Sequence, residues 1–154
     1  MINVLIWNCR GAASKGVASV LRDMRHRYKL SLVVVLEPRI SGVQATKVIK
    51  QWGFQQSIRQ EAMGFSGGIW LLWEGEEINV EVIRLEEQFI HCNLKAGEDE
   101  FLFSAIYANP NEQRRHGLLE MLRSISSEVN GPWLLAGDFN EIKTPLEQTG
   151  GKSE

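Results

Sequence analysis

Short apolar runs alternate with longer amphipathic stretches along the first half of the chain. Residues 2–7 and 32–36 are apolar runs that predict strands, and the second is apolar on both faces, which is typical of a buried central strand. Residues 15–27 and 42–52 repeat apolar positions at helical spacing, and Gly53 follows as a helix end. This half of the chain therefore predicts strands alternating with helices.

Strand patterns dominate the second half. Four apolar runs are separated by short charged or glycine-bearing turns: 69–73, 78–85, 89–94 and 101–106. Residues 78–82 alternate with period two, which predicts a strand with one face in water. A third helix fits residues 112–129, and a last apolar run follows at 133–136. The mixture predicts an α/β or α+β sandwich, and no repeat or linker divides residues 1–154, so we expect a single domain.

Composition narrows the class of protein only slightly. The chain has 154 residues, 44% of them hydrophobic and 23% charged, with a net charge of −2. These values are ordinary for a folded domain and give no global basic field, so any contacts with nucleic acid must be local. The cysteines, Cys9 and Cys92, have neither disulfide-framework nor zinc-site spacing. With no signal peptide and no long apolar segment, we expect a protein of the nucleus or cytoplasm without a membrane span.

Polar side chains follow four of the predicted strands, namely Asn8, Glu37, Tyr107 and the pair Asp138 and Asn140. Ligand sites collect at the carboxyl ends of strands in sheets with parallel strands. In an extended chain, Asp138 and Asn140 would also share one face. Because these groups offer only oxygen ligands and amides, they suit a hard cation such as Mg²⁺, with Mn²⁺ as an alternative, rather than zinc.

Each of these features also has a plain structural explanation. A glutamate that ends a strand, such as Glu37, is most often exposed to solvent. The run at 137–140, Gly-Asp-Phe-Asn, consists largely of turn-forming residues. Trp70 and Trp73 lie inside an apolar run, so we interpret them as core side chains rather than as platforms for stacking bases.

Two groups of basic residues are candidates for phosphate contacts. The basic residues between 22 and 29 lie at a predicted helix end, and a solvated surface is the favoured interpretation. Arg114 and Arg115 follow the strand that bears Tyr107 and are the better candidates. That they are only solvated surface residues is an equally open alternative.

Five short motifs follow one another along the chain: Trp-Asn-Cys-Arg-Gly at 7–11, Leu-Glu-Pro-Arg at 36–39, Ser-Gly-Gly-Ile-Trp at 66–70, Tyr-Ala-Asn-Pro at 107–110 and Gly-Asp-Phe-Asn at 137–140. The ordered set resembles the endonuclease/exonuclease/phosphatase superfamily, above all the apurinic-type endonuclease domain of plant LINE-like, non-LTR retrotransposons. The resemblance implies a four-layered α-β-β-α sandwich of the deoxyribonuclease I-like type with an incomplete second sheet. It also implies an ancestral activity, the Mg²⁺-dependent hydrolysis of phosphodiesters in DNA.

The resemblance further implies a role for each strand-end residue. Glu37 would be the main metal ligand, and Asn8 would help to organise the metal site. Tyr107 would contact the scissile phosphate, while Asp138 and Asn140 would position the attacking water and the phosphate.

The chain departs from the superfamily pattern in two places. Pro38 stands where threonine is usual, which removes a hydroxyl and a backbone donor beside Glu37. The superfamily's Ser-Asp-His motif would lie beyond residue 154, and His26, His91 and His116 are interpreted as structural or exposed. We therefore expect a domain that lacks its C-terminal part and has weak or lost activity on its own.

Two other functions stay open. The chain could be a non-catalytic, retroelement-derived remnant that acts as an interaction module, through self-association or a complementary chain at an exposed sheet face. The same fold also serves inositol-phosphate phosphatases and sphingomyelinases, so another phosphoester substrate is a further alternative.

Overall fold

The computed structural model describes residues 1–63 and 66–140 of the chain. The described part contains eight strands and three helices, in the order β1 (Val4–Asn8), α1 (Val17–Tyr28), β2 (Leu32–Leu36), α2 (Gly42–Gln51), β3 (Gln56–Gln60), β4 (Ile69–Trp73), β5 (Asn79–Glu86), β6 (Phe89–Ala96), β7 (Asp99–Tyr107), α3 (Glu112–Glu128) and β8 (Trp133–Asp138). Within these ranges, none of the helices combines the length and the apolar character needed to cross a lipid bilayer.

The strands form two four-stranded sheets. The first has the order β1-β2-β4-β3 and the second the order β5-β6-β7-β8. Strands β1 and β2 pair in parallel, as do β7 and β8, whereas the other neighbours are antiparallel. The carboxyl ends of β1 and β2 therefore emerge together from one sheet, and those of β7 and β8 emerge together from the other.

The two sheets pack face to face between layers of helix. In β2, Leu32, Val34 and Leu36 face the second sheet, while Val33 and Val35 face α1 and α2. This explains why the strand is apolar on both faces. Helix α3 covers the outer face of the second sheet through three buried side chains, Leu118, Leu122 and Ile125. The predicted α-β-β-α sandwich is confirmed, as are Trp70 and Trp73 as core side chains.

Two strands differ from the sequence prediction. β3 was missed because Gln56–Gln60 is polar, which an exposed edge strand permits. In β5 the predicted alternation holds as far as Glu81 and then changes phase, because the register shifts between Val82 and Arg84, where Val82 and Ile83 are exposed. A β-bulge of this kind moves the following side chains to the opposite face of the strand.

Arg25 is not part of a solvated helix end, as had been expected for its basic neighbourhood. Its Nη1 donates a hydrogen bond of 2.6 Å to the backbone oxygen of Trp52, and its Nη2 pairs with Glu74. The guanidinium also lies 4.0 Å from the centre of the Phe54 ring. The contacts of Arg25 with Trp52 and Phe54 therefore stabilise the packing of the end of α1 against the end of α2.

Candidate active site

Four of the predicted site residues meet where the two sheets face each other. Asn8 ends β1 and Glu37 follows β2, whereas Tyr107 and Asp138 end β7 and β8. The Asn8 amide Nδ2 donates a hydrogen bond of 3.2 Å to Asp138 Oδ2. The Tyr107 hydroxyl donates one of 3.1 Å to Glu37 Oε2. These four residues, which we name the strand-end site, are thus joined by two hydrogen bonds that cross between the sheets.

Asn140 lies beside this site, but it does not continue an extended strand from Asp138 as the sequence had predicted. β8 ends at Asp138, and Asn140 has a left-handed backbone with φ of 47°. Asp138 Oδ1 accepts a hydrogen bond of 2.8 Å from the Asn140 backbone N–H, and the Asn140 side-chain amide donates to the backbone oxygen of Ala108. The local Asp-to-backbone bond turns the chain, so the two side chains do not share one face of an extended strand.

Gly137 allows β8 to lie against β7 at the point where both strands deliver a site residue. A Cβ atom at this position would lie 2.0 Å from the backbone oxygen of Ile106, and the residue has φ of 147°. Only glycine fits this backbone and this approach. The placement of Asp138 beside Tyr107 therefore depends on the glycine of the Gly-Asp-Phe-Asn motif.

Glu37 is the charged centre of the strand-end site. Its side chain is 16% exposed, and its Oε1 accepts hydrogen bonds from Arg39 Nη2 at 2.6 Å and Arg39 Nε at 3.1 Å. Burial opposes ionisation, but the hydrogen bonds from Arg39 and Tyr107, together with the nearby Asn8 amide, outweigh it and hold the pKa of Glu37 below its ordinary value. Glu37 is therefore a carboxylate at neutral pH.

Tyr107 has the opposite shift. Burial and the neighbouring charge of Glu37 raise the pKa of Tyr107 to about 12. The phenol therefore keeps its proton at neutral pH and acts as a hydrogen-bond donor in this site, not as a base.

Backbone strain concentrates around the strand-end site. In the described part of the chain, five non-glycine residues have positive φ, and one of them, Lys29, caps the end of α1. The other four are Arg10 (50°), Glu37 (56°), Arg39 (61°) and Asn140 (47°). Side chains held in this sparsely populated region cluster at functional sites, where the surrounding structure keeps them in place.

Two residues of this region had not been assigned a role from the sequence. Arg39 belongs to one of the motifs, but its contact with Glu37 depends on the left-handed turn between them. Gln88 precedes β6 and holds the segment after β7: its Oε1 accepts from the Asn109 backbone N–H at 2.6 Å, and its Nε2 donates to the Arg114 oxygen at 2.9 Å. Its backbone oxygen also accepts from the Tyr107 N–H at 2.9 Å.

Arg114 and Arg115 lie at the start of α3 with partners of their own. Arg114 Nη1 pairs with Glu87 at 3.2 Å, and Arg115 Nη1 donates to the backbone oxygens of Asn109 at 3.2 Å and Pro110 at 2.5 Å. Arg115 therefore stabilises the loop after β7, while Arg114 lines a cavity beside Tyr107. Their predicted contact with nucleic acid stays a prediction.

The donor atoms at this site fit a hard divalent cation by their chemistry. Glu37 and Asp138 supply carboxylate oxygens and Asn8 an amide oxygen, which are ligands that Mg²⁺ takes. Among residues 1–63 and 66–140, no group of three or more His, Cys, Asp or Glu side chains is placed to hold a metal ion. A cation at Glu37 would therefore share this carboxylate with Arg39 and Tyr107, and would rely on water or phosphate oxygens for its remaining ligands.

Two facing sheets between helical layers, with polar strand ends at their junction, define a deoxyribonuclease I-like fold. Solved structures of the endonuclease/exonuclease/phosphatase type share it. The endonuclease domain of TRAS1, a telomere-specific non-LTR retrotransposon, is 15% identical with a TM-score of 0.67, and the match covers 89% of this chain and 59% of that domain. The AP endonuclease LMAP from Leishmania major is 14% identical with a TM-score of 0.67, over 89% of this chain and 54% of that one.

A third structure, D. rerio TDP2 in complex with a single-strand DNA product, is 13% identical with a TM-score of 0.64, over 97% of this chain and 64% of that one. The matches thus span between 54% and 64% of the length of these three proteins. No protein-family model matches the sequence, and no curated protein does. At these identities the structural likeness establishes the fold.

Proposed function

We propose that this chain carries the site of a metal-dependent phosphodiesterase acting on DNA. Glu37 and Asn8 would hold Mg²⁺ or Mn²⁺, and Tyr107, Asp138 and Asn140 would act on the scissile phosphate and the attacking water. The observation that carries the proposal is the pair of hydrogen bonds, Tyr107 to Glu37 and Asn8 to Asp138, that gathers four strand ends around an ionised carboxylate. The names of the structural neighbours, two endonucleases and a protein bound to a DNA product, support DNA as the substrate.

Each residue of the site has a chemical task in this proposal. The protonated Tyr107 is a donor for a phosphoryl oxygen, and the Asp138 carboxylate is an acceptor for a proton of the attacking water. Asn8, whose amide donates to Asp138, orients that carboxylate. A bound divalent ion would neutralise phosphate charge and lower the pKa of the water.

The proposal includes an origin in a plant LINE-like retroelement. Its support is the ordered set of five motifs, together with the structural likeness to the TRAS1 endonuclease domain. The superfamily's Ser-Asp-His motif does not occur in the 154 residues. Since an acid/base group typically contributes orders of magnitude in rate, we expect these 154 residues, assayed alone, to be a slow enzyme.

A second candidate function is that of a non-catalytic interaction module. It is favoured by the occupation of both Glu37 oxygens by Arg39 and Tyr107, and by the position of β8, which is an edge strand among the strands that the structure describes and has Leu134 47% exposed. Such an edge could pair with a second copy or with a complementary chain. A monomer that binds Mg²⁺ would support the enzyme, and a stable oligomer would support the module.

The test is nicking of supercoiled plasmid in Mg²⁺ by protein that circular dichroism shows to be folded. Glu37→Gln should lower the nicking rate at least about a hundredfold, because it removes the charge that would hold the cation. Glu86→Gln is the matched control, since Glu86 also pairs with an arginine two residues away, at 2.8 Å, on the exposed strand β5. Equal nicking by wild type and Glu37→Gln would contradict the proposal, and folded wild type that does not nick would favour the interaction module.

A further inference from the structure

Strand β5 lies at an edge of the second sheet, because β6 is its only strand neighbour in the part of the chain that the structure describes. It presents three large apolar side chains to solvent, those of Val82, Ile83 and Leu85. No other strand or helix within residues 1–63 and 66–140 exposes three such side chains. The edge strand β3 of the first sheet is, by contrast, polar at four of its five positions. An apolar edge strand offers a surface for pairing with another strand.

The β-bulge in β5 places two opposite charges on one face of the strand. Glu81 lies opposite Asn93 of β6, and Arg84 lies opposite His91. Residues two apart along the regular strand β6 share a face, so their partners Glu81 and Arg84 also share one. In a regular strand, residues three apart would lie on opposite faces. The bulge therefore creates a pair of neighbouring charges that the sequence spacing alone would separate.

Both charged groups have capacity for a further partner. Arg84 uses its Nε on Glu86 at 2.8 Å, which leaves the hydrogens of both Nη atoms available. Glu81 is exposed, and among the described residues no basic group forms an ion pair with its carboxylate. An opposite charge brought against Glu81 or Arg84 would therefore add an ion pair without displacing an existing one.

Pairing β5 with the same strand of a second copy brings these charges together. A two-fold axis relates the two strands of such an antiparallel pair, so every contact occurs twice. The register that places Val82 opposite Ile83 of the second copy brings the two bulges to this axis. Glu81 then lies opposite Arg84 of the second copy, on the same face of the joined sheet. The surface is thus complementary to itself in charge as well as in apolar character.

Neighbouring registers lack this match. A shift of two residues in one direction places Glu81 opposite Glu86 of the second copy, where like charges repel. The same shift in the other direction places Asn79 opposite Arg84 of the second copy, where no ion pair forms. The distribution of charge along β5 therefore selects one register of the pair.

We propose that β5 is a dimerisation surface, at which it pairs antiparallel with β5 of a second copy of this chain and Glu81 of each copy binds Arg84 of the other. The pairing covers the exposed apolar side chains of the strand and joins the second sheets of the two copies into one continuous sheet. β5 and β8 lie at opposite edges of the second sheet, so the dimer leaves the strand-end site open. The inference is therefore independent of the proposed function.

The experiment measures the dissociation constant of the dimer by sedimentation velocity of the folded chain over a range of micromolar concentrations. Glu81→Arg and Arg84→Glu each place like charges opposite one another twice, and each should raise the dissociation constant at least about tenfold. An equimolar mixture of the two variants should form a heterodimer, because the facing charges are again opposite in sign. Glu120→Arg, a charge reversal at an exposed position on α3, should match wild type.

Three outcomes would overturn this inference: wild-type protein that stays monomeric throughout, a dimer that survives both single reversals, and a mixture of the two folded variants that stays monomeric. A dimer that is disrupted by Leu134→Glu and retained in Glu81→Arg would also overturn it, since the contact would then lie at β8. Circular dichroism establishes that each variant is folded. Because the measurement needs neither metal nor turnover, a failure to nick DNA would leave this result unchanged.

Discussion

Two polar clusters in this molecule look alike in their hydrogen bonds and differ in almost every other respect. The strand-end site has bonds of 3.1 and 3.2 Å between side chains of the two sheets. The second cluster, which we name the buried trio, consists of His91, Ser104 and Trp133. A hydrogen bond of 2.7 Å joins His91 Nδ1 to Ser104 Oγ, and Trp133 Nε1 donates to the same oxygen at 3.0 Å.

By residue type alone, the buried trio would be the more suggestive cluster, because a serine beside a histidine can form a nucleophilic pair. Yet His91 is 3% exposed and Ser104 is fully buried, both in the middle of regular strands. Burial, followed by the charge of Arg84, lowers the pKa of His91, so the imidazole is neutral. The members of the buried trio therefore satisfy one another's polar groups in the core. Of the two interpretations open for His91, structural or exposed, the structure supports the structural one.

The strand-end site has three features that the buried trio lacks: charged groups, the carboxyl ends of strands and strained backbone. The place of a polar side chain along its strand, more than its residue type, therefore decides whether the side chain serves the core or stays accessible to a ligand. Groups in the middle of a strand face a packed layer, whereas groups at a strand end meet loops and solvent.

After Glu37→Gln, the largest effect that distinguishes the two clusters is expected from Tyr107→Phe. This change removes one hydroxyl, which donates to Glu37 and which we propose contacts the phosphate. We expect nicking to fall by about 10²-fold, as for the loss of one preorganised donor to a developing charge. The measurement is the plasmid nicking rate at equal concentrations of folded protein.

Tyr28→Phe is the matched control for this change, because Tyr28 is the only other tyrosine and is half exposed at the end of α1. It should nick at the wild-type rate. If Tyr107→Phe also retained the wild-type rate, the phenol would have no part in the chemistry, and the strand-end site would be closer in character to the buried trio.

Much of this contrast could be predicted from the sequence. The run at 32–36 indicated a buried central strand, and the ends of the apolar runs located the residues that the structure gathers at one place. The division of the strands between two facing sheets followed from the resemblance and not from periodicity, since apolar spacing does not say which strands pair.

Other features could not be predicted, for local physical reasons. The contact between Arg39 and Glu37 requires left-handed φ at both residues, which non-glycine residues adopt infrequently. The turn at Asn140 depends on a side-chain bond to the backbone, and the bulge in β5 depends on its position at a sheet edge. Each is a tertiary or conformational choice that hydrophobic patterning leaves undetermined.

The buried trio should show the next largest effect, on stability rather than on activity. Ser104→Ala removes the oxygen that serves both Trp133 and His91, and so takes this partner from the buried His91 nitrogen and the partly buried Trp133 nitrogen. We expect a loss of about 1–3 kcal/mol in the free energy of unfolding, the usual cost of buried groups left unsatisfied. Urea denaturation measures the loss, and the nicking rate per folded molecule should be unchanged.

Ser127→Ala provides the control for stability, because the Ser127 hydroxyl donates to a backbone oxygen one turn back on the exposed side of α3. Its effect should stay within about 0.5 kcal/mol. A fall in nicking per folded molecule for Ser104→Ala would give the buried trio a functional role and would remove its contrast with the strand-end site.

The smallest expected effect is a separation of the two clusters by pH. His91 has a lowered pKa in the folded chain, so the unfolded chain takes up more protons, and stability is lost as pH falls below the ordinary value of 6.5 towards the folded pKa. Glu37 also has a lowered pKa, but its contribution to stability is lost only as pH falls below 4.5.

The free energy of unfolding, measured with urea between pH 8 and pH 3, should therefore decline in two separate pH ranges, an upper window and a lower window. His91→Gln should flatten the upper window and Glu37→Gln the lower one, with the exposed His116→Gln as control. If His91→Gln and Glu37→Gln altered the same window, the prediction that the buried trio and the strand-end site take up protons in different pH ranges would be wrong.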